Sequence, residues 1–160
     1  MIVREAVEDD WPRIFPFFAA IVAAGETYSY PDGLTSDEAR TLWMGQERVV
    51  VAIEGDDVLG SATMGPNRTG RGAHVATASF MVDPRHSGRG VGRVLGEHVI
   101  AWAANAGYRG MQFNAVVETN HGAVTLWRSL GFRIIGTVPE AFDHARDGYV
   151  GLHVMYRPLV

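Results

Sequence analysis

The sequence of 160 residues contains no cysteine. This absence excludes disulfide bonds, thiolate metal sites and a cysteine nucleophile. No stretch reaches the roughly 20 consecutive apolar residues that are needed to span a bilayer. The N-terminal residues also lack the basic segment and apolar run of a secretory signal. We therefore expect a cytoplasmic protein with no membrane partner.

The sequence also lacks an excess of positive charge. It has 14 Lys and Arg against 18 Asp and Glu, for a net charge of -4. Because such a chain presents no broad basic field, we expect no nucleic-acid partner. No pair of histidines has helical metal-binding spacing with a carboxylate, so we expect no metal site. The length and the hydrophobic content of 47% fit one domain over residues 1–160.

The spacing of apolar residues predicts the element order β-α-α-β-β-β-α-β-α-β-β, which is an α/β (α+β) arrangement. An antiparallel meander is joined to a later β-α-β-α-β portion. We expect Asp9 or Asp10 to cap the first helix, and Pro16 to kink it or break it into two short helices. The predicted strands cover residues 2–7, 49–54, 58–64, 74–82, 111–117, 132–137 and 149–156.

A glycine-rich loop is the sharpest motif. Gly88-Arg89-Gly90-Val91-Gly92 follows a predicted strand and leads directly into a long predicted helix. Such a loop exposes successive backbone N–H groups at a helix N-terminus, where they favour an anion such as a phosphate. Arg89 and Arg93 would add positive charge. The spacing fits neither a Walker loop nor a dinucleotide fingerprint, and a tight turn without a ligand is the alternative reading.

The segments Val82-Asp83-Pro84, Gly88–Gly92 and Asn120 to Phe132 resemble the acetyl-CoA-binding core of GNAT N-acetyltransferases. The resemblance implies the GNAT fold, a mixed sheet of about seven strands flanked by about four helices. It also implies acetyl-CoA as the cosubstrate. The residues that it assigns to CoA are Phe80, Met81 and Val82 on the strand, Ser87, Gly88, Arg89, Gly90, Val91, Gly92 and Arg93 in the loop and helix start, and Asn120 and Trp127 on the later helix.

A finer resemblance connects the chain from Pro66 onwards to fungal L-azetidine-2-carboxylate (proline-analogue) acetyltransferases and their bacterial relatives. It implies that Asn67 meets the carboxylate of an amino acid and that Asn114 lines the acyl side. Thr27 and Tyr28 lie between the first two helices, where relatives shape the acceptor pocket. The implied acceptor is the amine of a small molecule, an amino acid or an amino-acid-like toxin, and a homodimer is compatible with the family.

Three departures from the family pattern concern the chemistry. Trp127 stands where many relatives have a tyrosine acid, the strand over residues 74–82 has no glutamate, and Ser87 replaces the usual Arg or Gln. We expect the amine to attack directly in a ternary complex, with a backbone N–H near Met81 or Val82 as the oxyanion donor.

His74 and Glu118 are the candidate general bases. A structural role for His74 and a helix-capping role for Glu118 are the alternatives. Two other functions stay open: acetylation of proteins or peptides, and a catalytically silent acyl-CoA sensor.

Overall fold

The computed structural model describes all 160 residues, and its seven strands and four α-helices follow the predicted order. The predicted α/β (α+β) class, with a mixed sheet of seven strands flanked by four helices, is therefore confirmed. None of the helices is long and apolar enough to cross a membrane. The helices are α1 Trp11–Ala24, α2 Ser36–Met44, α3 Val91–Asn105 and α4 His121–Ser129. The strands are β1 Ile2–Glu5, β2 Arg48–Glu54, β3 Asp57–Pro66, β4 Val75–Val82, β5 Gly110–Val117, β6 Arg133–His144 and β7 Gly148–Pro158.

The strands form one sheet in the order β1-β2-β3-β4-β5-β7-β6. All neighbours are antiparallel except β4 and β5, which are joined through the crossover helix α3. This parallel pair is short, because its register contains only Val75 with Gly110 and Ala76 with Met111. Beyond Ala76 the two strands pair no further. The sheet therefore opens into a gap along the second half of β4.

Each face of the sheet carries its own helical layer and its own hydrophobic core. α3 and α4 pack on one face around Leu95, Val99 and Trp127. α1 and α2 pack on the other face around Phe18 and Trp43. Successive side chains of β4 point to opposite faces, so Phe80 packs against the first core whereas Met81 is buried in the second.

The start of the chain differs from the prediction in two respects. Pro16 does not divide α1, which is one helix of 14 residues. It lies beside Phe17 and Phe18, which are buried in the α1–α2 core and hold that turn in place. Asp10 occupies the N-cap position, but its side chain makes no capping bond. Instead it accepts hydrogen bonds from both terminal nitrogens of Arg4 at 2.8 and 2.9 Å and from the Val7 amide at 2.8 Å.

The β6–β7 hairpin is longer than the sequence predicts. β6 was expected to end at residue 137 but continues to His144, across a register shift between Val138 and Phe142. The extension is held by a small third core of Val117, Phe142 and Val150. The tip of the hairpin reaches the end of α1, where the amide of Ala145 donates to the carbonyl of Gly25 at 2.9 Å.

Candidate active site

The glycine-rich loop joins β4 to α3 and adopts a conformation that depends on glycine. Gly88 and Gly90 have φ angles of 74° and 81°, in the left-handed region that L-residues rarely adopt. A Cβ atom on either residue would lie in open space, with no protein atom within 4 Å. An external group can therefore approach the backbone at Gly88 and Gly90 without meeting other protein atoms.

The backbone N–H groups of the loop have no acceptor within the protein. None of the amides from Gly88 to Arg93 donates to a carbonyl or side chain of the loop that precedes the helix. The first intrahelical bond of this end runs from the Val94 amide to the Gly90 carbonyl at 3.1 Å. Six successive donors at the N-terminus of a 15-residue helix fit an anion, and a pyrophosphate has enough acceptor oxygens to use several of them.

The loop is anchored by contacts on both sides. The Asp83 carboxylate accepts from the Arg85 amide at 3.0 Å and from the Arg85 guanidinium at 2.7 Å. This guanidinium, together with the amide, holds the pKa of Asp83 below its usual range. On the other side Val91 is buried in the core between the sheet and α3. The Ser87 hydroxyl donates to the Pro84 carbonyl at 2.6 Å, which leaves its oxygen able to accept a further bond.

Arg89 and Arg93 surround the loop and are tethered by neighbours. Arg89 donates to the Glu54 carboxylate at 2.7 Å, and the hydrogen bond with this arginine lowers the pKa of Glu54. Arg93 donates to the Ser129 hydroxyl on α4 at 2.6 Å. Both guanidinium groups belong to the segment that carries the free amides, so they add positive charge to it. Their hydrogen bonds to Glu54 and Ser129 restrict where they can move.

The gap between β4 and β5 begins beyond Ala76 and opens toward this loop. The Asp83 amide donates to the Leu59 carbonyl, and the Asn67 amide donates to the Val75 carbonyl. The backbone N–H and C=O groups of the odd-numbered residues of β4 therefore point to β3. By alternation the N–H and C=O groups of Ala78, Phe80 and Val82 point into the gap. The predicted CoA contacts of Phe80 and Val82 thus have backbone groups in the gap, whereas the backbone groups of Met81 lie on the β3 side. Ala78 is the gap residue that the sequence did not single out.

Trp127 closes the α4 side of the gap. Its ring lies 4.6 Å from the ring of Phe80 and 4.8 Å from the ring of Phe113, measured between centroids. The far edge of the indole approaches Gly96 on α3, where an added Cβ would lie 2.9 Å from Trp127 Cζ3. Trp127 thus packs in the core beside the gap, and it has no hydroxyl that could protonate a leaving group.

Asn67 and Asn114 meet on the opposite face of the sheet. The side-chain nitrogen of Asn114 donates to the side-chain oxygen of Asn67 at 2.7 Å, although 47 residues separate them. Gln112 donates in turn to the oxygen of Asn114 at 3.0 Å. Because Phe113 points into the α3–α4 core, Gln112 and Asn114 point to the α1–α2 face. The side-chain nitrogen of Asn67 has no acceptor within the protein, so both of its hydrogens are free to donate.

Tyr28 reaches the gap from the segment between α1 and α2. Its hydroxyl donates to the Phe80 carbonyl at 2.5 Å and accepts from the Phe80 amide at 2.8 Å. Burial raises the pKa of Tyr28 well above its usual range, so the hydroxyl stays protonated. Thr27 is half-buried beside it and makes no side-chain hydrogen bond. The expected acceptor segment therefore does touch the strand expected to hold the thioester.

The two candidate bases have different surroundings. His74 is exposed at the start of β4, about 13 Å along the strand from Ala78 at the usual rise of 3.3 Å per residue. Glu118 is half-buried after β5, and its Oε1 accepts from the Gly151 amide at 2.7 Å. One oxygen of Glu118 is thus used to join β5 to β7, rather than to cap α4.

The N-cap of α4 is Asn120, whose side-chain oxygen accepts from the Ala123 amide at 3.3 Å. The structure places Asn120 next to Thr119, whose buried hydroxyl has no hydrogen-bond partner. Asn120 therefore caps α4, a role that is compatible with its predicted contact with CoA. The side-chain nitrogen of Asn120 has no acceptor within the protein, whereas its backbone amide donates to the Val117 carbonyl at 2.9 Å.

Sequence reasoning missed two features of this site. Gln112 orients Asn114, and only its alternation with Phe113 on β5 could have placed it on the acceptor face. The contact of Tyr28 with Phe80 joins residues 52 positions apart and has no local signal in the sequence.

Residues 5–132 match the profile of the Acetyltransferase (GNAT) family. The structure superposes with a TM-score of 0.95 on a GCN5-related N-acetyltransferase from Kribbella flavida, at 60% identity over 98% of this chain and 96% of that chain. The Salmonella typhimurium protein yncA, solved with its cofactor acetyl-CoA, gives a TM-score of 0.84 at 27% identity, over 100% of this chain and 94% of that chain.

Two curated relatives match part of the chain. N-acetyltransferase aca1 of Schizosaccharomyces pombe is 32% identical over 98 residues, which cover 61% of this chain and 47% of that protein. Protein SPT10 of Saccharomyces cerevisiae is 37% identical over 97 residues, which cover 58% of this chain and 15% of that protein. The matched region thus spans about half of aca1 and a smaller share of SPT10.

Proposed function

The chain belongs to the GNAT family of acetyltransferases, and from that premise we propose that it transfers an acetyl group from acetyl-CoA to the amine of a small molecule, an amino acid or an amino-acid-like compound. The observation that carries the acceptor class is the hydrogen-bonded pair of Asn67 and Asn114 beside the gap. The loop from Gly88 to Arg93 supports the acyl donor, because its free amides fit the pyrophosphate of CoA.

The asparagine pair suits a carboxylate that sits next to an amine. Gln112 and Asn114 fix the oxygen of Asn67 as an acceptor, so the nitrogen of Asn67 presents its hydrogens outwards. A carboxylate can only accept hydrogen bonds, and an oriented amide N–H₂ group supplies two donors. Asn67 also follows β3 directly, and its own amide is bound to Val75 at 2.7 Å, which holds the side chain beside the start of the gap.

The acetyl group and the amine would meet along β4. Acetyl-CoA, when bound, supplies the acetyl group as an activated thioester. The loop amides would hold its phosphates, and the gap-facing N–H groups of β4 would supply the oxyanion donor. Since Met81 spends its N–H on β3, the donor falls to Ala78, Phe80 or Val82 rather than to Met81. The chain has no cysteine, and we propose direct attack by the amine without a covalent acyl-enzyme.

The acceptor must lose a proton before it attacks. We propose His74 and Glu118 equally for this step, because His74 is exposed about 13 Å along the strand from Ala78 and Glu118 uses one of its two oxygens to bind the Gly151 amide. Trp127 can donate a hydrogen bond but cannot release a proton. The CoA thiolate would therefore leave stabilised by hydrogen bonds alone. The homodimer and the single domain over residues 1–160 stay predictions.

The test is acetyl-CoA-dependent release of free thiol with a panel of acceptors. The panel contains amino acids, azetidine-2-carboxylate, short peptides and polyamines. Because the protein has no cysteine, a thiol reagent reports only the CoA released. Turnover of amino acids but not of their amides or of peptides would support the proposal. Turnover of peptides alone would favour a protein acetyltransferase, and acetyl-CoA binding without any turnover would favour the sensor.

Asn67→Ala extends the same assay, with Asn105→Ala as the matched control. Asn105 is exposed at the end of α3, outside the site. Asn67→Ala should raise the KM for the acceptor about tenfold, as expected for one charge-assisted hydrogen bond, with the KM for acetyl-CoA unchanged. Asn105→Ala should change neither constant. Equal increases in both constants for Asn67→Ala would contradict its role toward the carboxylate.

A further inference from the structure

The Tyr28 hydroxyl occupies a position in the gap that the sheet leaves without a strand. It is bound to both backbone groups of Phe80, at 2.5 Å from the carbonyl oxygen and 2.8 Å from the amide nitrogen. These are the groups that a neighbouring strand would use, and β5 is no longer paired with β4 at this point. One side-chain hydroxyl thus takes over both bonds of a missing strand residue.

This arrangement has a clear energetic reason. Half-buried backbone N–H and C=O groups without partners destabilise a fold. A hydroxyl is among the few side-chain groups that can accept from the one and donate to the other. Burial raises the pKa of Tyr28, so the hydroxyl keeps its proton and can donate to the carbonyl at any ordinary pH.

We propose that Tyr28 is a displaceable substitute for the pantetheine arm of the acyl-CoA, and that binding of the acyl-CoA exchanges the hydroxyl for that arm at Phe80. This inference rests on the proposed function, which places the acyl donor along β4. The Phe80 amide has one hydrogen, so it cannot bond to Tyr28 and to the arm together. The amide and carbonyl groups of the arm are chemically the same groups as those of a β-strand.

Displacement of Tyr28 would reach the acceptor side through aromatic contacts. The Tyr28 ring stacks on Tyr30 with centroids 5.7 Å apart and an interplanar angle of 22°. Tyr30 contacts Phe18 of α1 at 5.2 Å. A shift of Tyr28 therefore disturbs the segment between α1 and α2. The acyl-CoA would bind first, and its binding would reshape the acceptor pocket.

The test compares Tyr28→Phe with the matched control Tyr30→Phe. Both substitutions remove one hydroxyl from the same stack, but the Tyr30 hydroxyl has no hydrogen-bond partner in the structure. In Tyr28→Phe the Phe80 groups lose their partner only in the free protein, because the arm satisfies them in the complex. We expect Tyr28→Phe to bind acetyl-CoA about fivefold to thirtyfold more tightly, which corresponds to one to two net hydrogen bonds. Tyr30→Phe should bind as the wild type does.

A second measurement follows the Phe80 amide itself by hydrogen exchange. In the free protein this amide should exchange about tenfold faster in Tyr28→Phe than in the wild type. With saturating acetyl-CoA the two proteins should exchange it equally slowly. The free variant should also melt at a lower temperature, whereas the two complexes should melt close together.

The outcomes separate this inference from the proposed function. Weaker or unchanged acetyl-CoA binding by Tyr28→Phe would overturn the exchange at Phe80 while leaving acyl-CoA as the ligand. Equal protection of the Phe80 amide in both free proteins would overturn it as well. Failure of the wild type to bind acetyl-CoA at all would refute the proposed function, and this inference with it.

Discussion

Replacing Gly90 by alanine should damage acetyl-CoA binding more than it damages the fold. Gly90 has φ 81° and ψ 10° and is the N-cap of α3. An L-residue in this left-handed conformation costs about 1–2 kcal/mol. No atom lies within 4 Å of the added Cβ, so backbone strain is the main penalty in the free protein. We therefore expect the free energy of unfolding to fall by about 1–2 kcal/mol.

The effect on binding comes from relief of that strain. If φ moves toward negative values, the amides that follow Gly90 turn away from their common direction. Hydrogen bonds to a charged group are worth about 1.5–3 kcal/mol each. Misalignment of one phosphate contact should therefore raise the Kd for acetyl-CoA about tenfold to a hundredfold. The assay is a direct titration of acetyl-CoA, accompanied by the KM for acetyl-CoA and by thermal unfolding.

Gly107→Ala is the matched control. Gly107 follows the other end of α3, has φ 87°, and also has no atom within 4 Å of an added Cβ. It should lose a similar amount of stability and bind acetyl-CoA as tightly as the wild type. If Gly90→Ala lost the same stability as Gly107→Ala but kept the wild-type Kd, the assignment of the loop amides to phosphate would be refuted.

Three further predictions concern the rest of the site. Asn67→Ala and Asn114→Ala should each raise the KM for the acceptor. In the double variant kcat/KM should fall by less than the product of the two single effects, because the two side chains share one hydrogen bond. Independent effects in this double-mutant cycle would contradict the coupling. Glu118→Ala should lower the free energy of unfolding by about 1–3 kcal/mol, because it loses the bond to the Gly151 amide. Glu118→Gln keeps an acceptor oxygen and should keep the stability. A large loss of kcat in a stable Glu118→Gln would identify Glu118 as the base. Because the pKa of Asp83 is lowered in the folded state, the stabilisation by its carboxylate is complete above the ordinary pKa of about 4 and is lost as the pH falls through the lowered value. The difference in melting temperature between wild type and Asp83→Asn should therefore shrink below about pH 4. A constant difference down to about pH 2 would exclude this linkage.

The elements that local sequence determines were predictable. Ser36, Asp37 and Glu38 indicate a helix start and predict a short helix through Met44, which are the observed bounds of α2. Thr35 caps this helix, because its side chain accepts from the Glu38 amide. The conformation of the glycine-rich loop was also predictable, since Gly88 and Gly90 lie two residues apart and their left-handed φ angles follow from residue type. In both cases every interaction needed for the prediction lies within a few residues.

Features that depend on distant residues were not predictable. The extension of β6 crosses Pro139 and Glu140, which read as the end of a strand, and only packing of Phe142 on Val117 and Val150 continues it. Asp10 looked like a cap because of its position. Its carboxylate turns to Arg4 instead, since a bidentate ion pair that also binds the Val7 amide is stronger than one capping bond.

The acceptor site lies between these two cases. Asn67 and Asn114 were selected separately by resemblance, and the structure brings them within hydrogen-bonding distance. Their contact could not be read from the sequence, because it requires the register of β3, β4 and β5 together. Gln112 was missed for the same reason, as its role exists only through Asn114.

The gap in the sheet accounts for the positions of the proposed donor and acceptor sites. A parallel pair needs a crossover, and α3 both supplies it and presents its free amides at the end of β4. β5 then shifts register between Phe113 and Val116, which takes Asn114 and Ala115 out of the β5–β7 ladder. The same irregularity exposes Asn114 to the acceptor face. Unpaired backbone groups at a strand edge ordinarily favour aggregation, but here they lie between the glycine-rich loop and the side-chain amide of Asn67. Continued pairing of β4 with β5 would stabilise the sheet but would close the gap and remove the proposed site. The missing hydrogen bonds between these two strands are therefore a condition for the proposed chemistry.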